Sequence, residues 1–206
     1  MRVFAIELPT SEYLAHSSVP IIRYDGVTIP FADGSFDVVY SSNVLEHIPH
    51  VEIFQREILR VLKPHGRMIH TVPTSSWRVA TSLTHYVWLV QEVFRLLTGP
   101  SQRSAESGSS YRPVGRKSRL SRLRALLPSR HGESGNWLTE IYYFSRLRWE
   151  RMFRQSGLRL EVSKPLRLFY TGYCVADARI SLAVRGRLSR WLGSACRVFV
   201  LRRSYG

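Results

Sequence analysis

Cysteine is nearly absent: Cys174 and Cys196 are the only two in 206 residues. Two thiols exclude a disulfide-stapled secreted scaffold and suit a reducing compartment. An uninterrupted long apolar run is missing too. After Met1 and Arg2 the stretch VFAI meets Glu7 and Pro9, too short for the core of a signal peptide, and it reads as a strand. The greasiest segment, Val79 to Leu97, carries His85, Gln91, Glu92 and Arg95, which makes it a poor membrane span. A cytoplasmic protein is expected, soluble or peripheral at the membrane. No internal repeat is visible, and 44% hydrophobic residues over this length suit one core with an elaboration.

Acidic residues are sparse, and unevenly so. Residues 1–76 hold 6 Lys and Arg against 8 Asp and Glu, whereas residues 77–206 hold 24 against 7, so the net charge of +15 belongs to the second part. Residues 101–130, SQRSAESGSSYRPVGRKSRLSRLRALLPSR, have 8 basic residues, one glutamate and 8 serines. Such a composition buries too little apolar surface to fold alone and reads as a long basic loop. Its RLSRLRALL portion has the spacing of a cationic amphipathic helix, suited to an anionic surface such as a membrane or nucleic acid.

What is present alternates. RVFAIEL and PIIRY are short β-rich runs on either side of PTSEYLAHSSV, which has room for a short helix, and FDVVY follows the turn-rich ADGS. Val51, Phe54, Ile58, Val61 and Leu62 fall at helical spacing, with Pro49 before the start and Lys63, Pro64 and Gly66 at the stop. RMIHTV is the next strand. Helices are expected from Trp77 to Leu97 and from Ser145 to Gln155, with LRLEV and ACRVFVL as two strands at the far end of the sheet. Strands alternating with helices are the pattern of a parallel α/β sheet, which binds ligands beyond the carboxyl ends of its strands. Three polar clusters occupy such ends: Glu7, Asp25 with Gly26, and Ser41 to His47.

The stretch DGVTIPFADGSFDVVYSSNVLEHI, followed by REILRVLKPHGRMIHTVP, resembles the class I S-adenosylmethionine-dependent methyltransferases. Their pattern runs D-x-x-x-x-P-F-x-D-x-S-F-D-x-V, then L-E-H, then R-V-L-K-P-x-G. The likeness spans about Val3 to Val72, with a weaker tail in FSRLRWERMFRQSGLRLEV, and His65 stands where a second glycine is usual. It implies an α/β, Rossmann-like methyltransferase sheet, S-adenosyl-L-methionine as cofactor, and transfer to a small-molecule acceptor of lipid or saccharide type. By the resemblance Glu7 would accept from the ribose hydroxyls and Asp25 from the adenine amino group. Gly26 and Val27 would supply backbone around the ring, Ser41 and Ser42 would line the methionine end, and Leu45 would pack near the adenine.

Asn43, Glu46 and His47 face the place where substrate should enter. In polyprenyl-quinone O-methyltransferases a similar L-E-H segment contributes to a divalent-metal site; here the three ligands would leave most of a metal's shell to water, and no metal is assigned. Glu46 and His47 either orient the loop or act catalytically, His47 by taking a proton from an acceptor hydroxyl. Substrate choice should come from what covers the site: His131, Glu140 and Tyr143 in HGESGNWLTEIYYFS, or the stripe Leu83, Tyr86, Val87, Val90, Phe94 and Leu97, which also reads as core.

The resemblance further implies a first strand and a glycine-rich loop between the strands ending at Glu7 and Tyr40, yet no Gly-x-Gly occurs upstream of Glu7. A core truncated at its N-terminus, with two unpaired strand edges and impaired activity, is expected. Three segments follow: a partial cofactor-binding core at 1–76, a helix and basic loop at 77–136 covering the substrate region, and a helix-strand completion at 137–206. Against an active methyltransferase stands a catalytically inactive module whose basic half binds an anionic partner. Nicotinamide-dependent oxidoreduction would explain Glu7 but not Asp25, Gly26 and L-E-H in series.

Overall fold

The computed structural model describes residues 2–11, 14, 20–98, 126–172 and 179–204. The short helix expected between the first two strands and most of the basic loop, residues 99–125, lie outside the described residues. Two compact units interleave: the first comprises Met1–Val72, Arg146–Lys164 and Arg197–Gly206, the second Pro73–Ser145 and Pro165–Cys196. The contiguous division expected at 76 and 136 gives way to this one because the late strands return to the sheet begun by the early ones.

In the first unit, β1 (Ala5–Glu7) and β2 (Ile21–Arg23) run parallel, Ala5 opposite Ile21 and Glu7 opposite Arg23. A second sheet has the order β3-β4-β6-β5, built from β3 (Phe36–Ser42), β4 (Leu62–Pro73), β5 (Leu158–Pro165) and β6 (Cys196–Arg203). Among the described residues no ladder joins the two sheets. Phe4, Phe31 and Phe36 meet edge to face instead, with centroids 4.8–6.0 Å apart.

β3 and β4 are parallel, and their register jumps from Phe36 opposite Leu62 to Val38 opposite Arg67. The Lys63-Pro64-His65-Gly66 turn read from the sequence is therefore a bulge inside a longer strand. Lys63 holds it by donating to both oxygens of Asp37, at 2.8 and 3.0 Å. Gly66 is required there, because a β-carbon would stand 2.7 Å from the Leu62 side chain and 3.0 Å from the Asp37 carbonyl.

Helix α1 (Val51–Val61) buries Val51, Phe54, Ile58 and Val61, the stripe read from the sequence. Helix α4 (Arg146–Gln155) buries Trp149, Met152 and Phe153, and Phe153 packs on Phe199 of β6 at 5.2 Å and on His70 of β4 at 5.8 Å. Arg60 ties α1 to the loop before β3. Its guanidinium donates to the carbonyls of Ile29 and Phe31, to Asp33 and to Glu57, all at 2.8–2.9 Å, while Glu57 accepts from the Ile29 amide at 2.9 Å.

The second unit holds α2 (Ser75–Thr98), α3 (Glu140–Tyr143) and α5 (Leu182–Leu192), the last without a counterpart in the sequence reading. Of the α2 stripe expected as core or pocket, Leu83, Tyr86, Val87, Val90 and Phe94 are exposed and so are not core, and the side chain of Leu97 lies outside the described residues. The buried side of α2 is Arg78, Ala80 and Ser82. No described helix is long and apolar enough to cross a membrane.

Candidate functional site

The parallel pairing of β1 and β2 brings Glu7 and Asp25 out at the same sheet end. Asp25 lies two residues beyond Arg23 and folds the chain over itself: its Oδ1 accepts from the amides of Val27 at 2.8 Å and Thr28 at 2.7 Å. Those bonds hold its carboxyl below the ordinary carboxylate range, so it is an ionised acceptor. Gly26 between them has φ +83°, a backbone conformation glycine adopts without cost, and a β-carbon would press on Leu8 at 3.0 Å. Oε1 of Glu7 accepts from the amide of Leu8 at 2.9 Å. The phenol of Tyr24 is pushed up by burial and then by the negative charges of Glu7 and Asp25. Tyr24 gave no signal in the sequence.

At the end of β3 the chain turns on Asn43, whose φ of +51° suits asparagine better than most residues and whose amide donates to Thr71 at 2.8 Å. A single tight turn, Leu45–His47, follows. Leu45 is closed into the core, so it forms the floor of this loop. The Ser41 hydroxyl meets His70 Nδ1 at 2.7 Å, a pairing absent from the sequence reading because the partners are far apart in the chain. Burial pushes His70 down to about 4, so the ring is neutral. Ser42 is exposed beside it.

Glu46 stands apart from the other candidates. Its side chain is 0% exposed, and among the described residues neither carboxylate oxygen has a hydrogen-bond partner. Burial pushes its carboxyl up to about 7. Nε2 of the half-exposed His47 lies 3.9 Å from its Oε1. A carboxyl so placed exchanges a proton near neutral pH.

The remaining candidates lie in the second unit, and one of them is corrected. Glu140, expected to meet substrate, is 0% exposed: it pairs with buried Arg78 at 2.9 Å and accepts from the amides of His131 and Gly132, both at 2.7 Å. Arg78 in turn donates to the carbonyls of Trp137 at 3.1 Å and Ser129 at 2.7 Å. A carboxylate with those partners is a clasp for the loop. The exposed ring of His131 packs against Trp77 at 4.5 Å, and the half-buried ring of Tyr143 packs by Gly135 and Tyr142.

Residues 5–70 match a family model described as a methyltransferase domain. An uncharacterized methyltransferase of Mycobacterium leprae is 31% identical over 132 residues, 58% of this chain and 48% of the relative. A demethylmenaquinone methyltransferase of Corynebacterium efficiens is 47% identical over 53 residues, 26% of this chain and 23% of the relative. The chain thus matches 48% and 23% of the length of these two curated relatives. The solved structure of an S-adenosylmethionine-dependent methyltransferase from Mesorhizobium loti superposes over 97% of this chain and 80% of its own, at 15% identity and a TM-score of 0.49.

Proposed function

We propose that this chain, whose residues 5–70 match a methyltransferase-domain model, is a class I S-adenosylmethionine-dependent methyltransferase that transfers a methyl group to a hydroxylated acceptor of lipid or saccharide type. The observation that carries the reading is the shared sheet end of Glu7 and Asp25, with Glu46 buried and unpartnered after β3. Glu7 would hold the ribose hydroxyls and Asp25 the adenine amino group, with Gly26 and Val27 beside the ring, Leu45 beneath it, and Ser41 and Ser42 toward the methionine portion. The bound cofactor supplies an activated methyl group. The protein's share is to position the acceptor, exclude water and receive a proton.

Glu46 is that proton acceptor in our reading. A carboxyl near 7 is partly ionised at neutral pH and basic enough to take the proton of an acceptor hydroxyl. His47 and Asn43 border the entrance. The Corynebacterium relative is named for demethylmenaquinone, which supports a lipid-type acceptor. The basic segment 101–130 would bring the chain to an anionic surface, as a peripheral protein of the cytoplasmic side.

Calorimetry with S-adenosylmethionine tests the site. Asp25→Asn keeps a carbonyl for the turn to Val27 and Thr28 but presents an amide donor to the adenine amino donor, so affinity should fall roughly tenfold or more. Glu7→Ala should weaken binding comparably. Unchanged affinity in both variants would sink the assignment.

A further inference from the structure

We propose that the second unit docks on an anionic lipid bilayer through the outward faces of α2 and α5, independently of methyl transfer. Both helices are amphipathic in the reverse sense. Along α2, Val79, Leu83, Tyr86, Val87 and Val90 recur at helical spacing and are exposed, Leu83 at 62% and Val90 at 69%, while Arg78 and Ser82 of the same helix are buried. On α5 the buried side carries Ser189 and Arg185, whose guanidinium donates to the Phe169 carbonyl at 2.9 Å. Its outward side presents Val184, Trp191 and Leu192 at spacings of seven and eight, with the half-buried Leu188 between them and Trp191 89% exposed. Large apolar side chains exposed in rows along two helices of one unit, with arginines beside them, are the kind of surface that marks an interaction site.

Charge identifies the partner. Helix α5 contains Arg185, Arg187 and Arg190 and no acidic residue, and Arg187 and Arg190 lie exposed along its apolar stripe. In sequence α2 leads into residues 99–125, with 7 Lys and Arg against one Glu, and the second unit as a whole has 15 against 5. A second copy would bring like charge against like charge. Nucleic acid would satisfy the arginines but leave the valines, leucines and Trp191 in water. A bilayer with anionic headgroups meets both: headgroup phosphates and carboxylates under the arginines, acyl chains under the stripes, and an indole at the boundary.

The test is sedimentation of the chain with vesicles of phosphatidylcholine alone, or containing about 30% phosphatidylserine, at about 0.1 M salt. Binding is expected to the mixed vesicles, at least about tenfold weaker to phosphatidylcholine, and reduced by added salt. Arg187→Glu with Arg190→Glu should weaken it by about thirtyfold or more. Val90→Ser with Trp191→Ser should weaken it to a similar degree. All four positions are exposed, and circular dichroism with urea unfolding establishes that both variants fold. Absence of vesicle binding, equal binding to both vesicle types, or binding indifferent to either pair overturns the proposal. A soluble dimer abolished by Val90→Ser with Trp191→Ser, or DNA bound more tightly than vesicles, overturns it in favour of another occupant. S-adenosylmethionine calorimetry on the same variants should be unchanged, so failure here leaves the methyltransferase reading standing.

Discussion

Two residues of the first unit carry perturbed protons in opposite senses, and they are linked by arithmetic rather than contact. Burial raises the Glu46 carboxyl from 4.5 to about 7 and lowers His70 from 6.5 to about 4. For Glu46, ionising the buried group opposes folding, so stability falls as pH rises from 4.5 toward 7. For His70, the neutral ring is the folded form, so stability is lost as pH falls from 6.5 toward 4. Between 4.5 and 6.5 the unfolded chain holds a proton on His70 and the folded chain holds one on Glu46, so the two slopes cancel. The parent chain should therefore show little pH dependence from this pair. Glu46→Gln should gain stability with rising pH across the window, and His70→Asn should lose it, each by about 2–3 kcal/mol. Urea unfolding at the two ends of the window decides the matter: profiles of the same sign in both variants would refute the assignment.

At the scale of elements, Glu140 on α3 and Arg78 on α2 form a buried ion pair that clasps the second unit. Glu140→Ala leaves a guanidinium buried without its counter-charge and two loop amides without an acceptor, and should destabilise the fold by about 3–5 kcal/mol in thermal or urea unfolding. A change under about 1 kcal/mol would show that the pair is dispensable. In the first unit, Glu57 holds the Ile29 amide, so Glu57→Ala should speed hydrogen exchange at Ile29 by at least about tenfold while leaving the α1 interior protected. Neither contact is written in local sequence, because each joins residues far apart in the chain. What was legible is what period and punctuation encode. The α1 stripe, its stop before Pro64 and Gly66 and the strand ends follow from spacing and turn chemistry, whereas the bulge that these residues form inside β4 does not. Helix α5 was missed because Gly186 interrupts it and its apolar residues face outward, leaving no core stripe to read. The α2 stripe was found but left between core and cover of the site, since periodicity reveals a face and not what covers it. Glu46 and His47 were legible as candidates through the likeness to a family, whereas the burial that sets Glu46 near 7 is a tertiary property.

For the whole molecule, the decisive feature is that the first unit's strands form two ladders instead of one. Among the described residues β3 pairs with β4 alone, and its Tyr40 side chain is exposed. The amide of Asn43 donates to Thr71 on the β4 side, and in a strand amides two apart point the same way, so Ser41 and Val39 also face β4. Tyr40 and Ser42 then point to the open edge. Their amides should exchange about a hundredfold faster than those of Val39 and Ser41 at low protein concentration. An edge with unpaired groups is also a template for a further strand. Raising the concentration should therefore slow exchange at Tyr40 and Ser42 if copies pair there, without altering Val39 and Ser41. Slow exchange at all four positions in dilute solution would mean that the edge is already closed, and the separation of the two sheets would then be wrong.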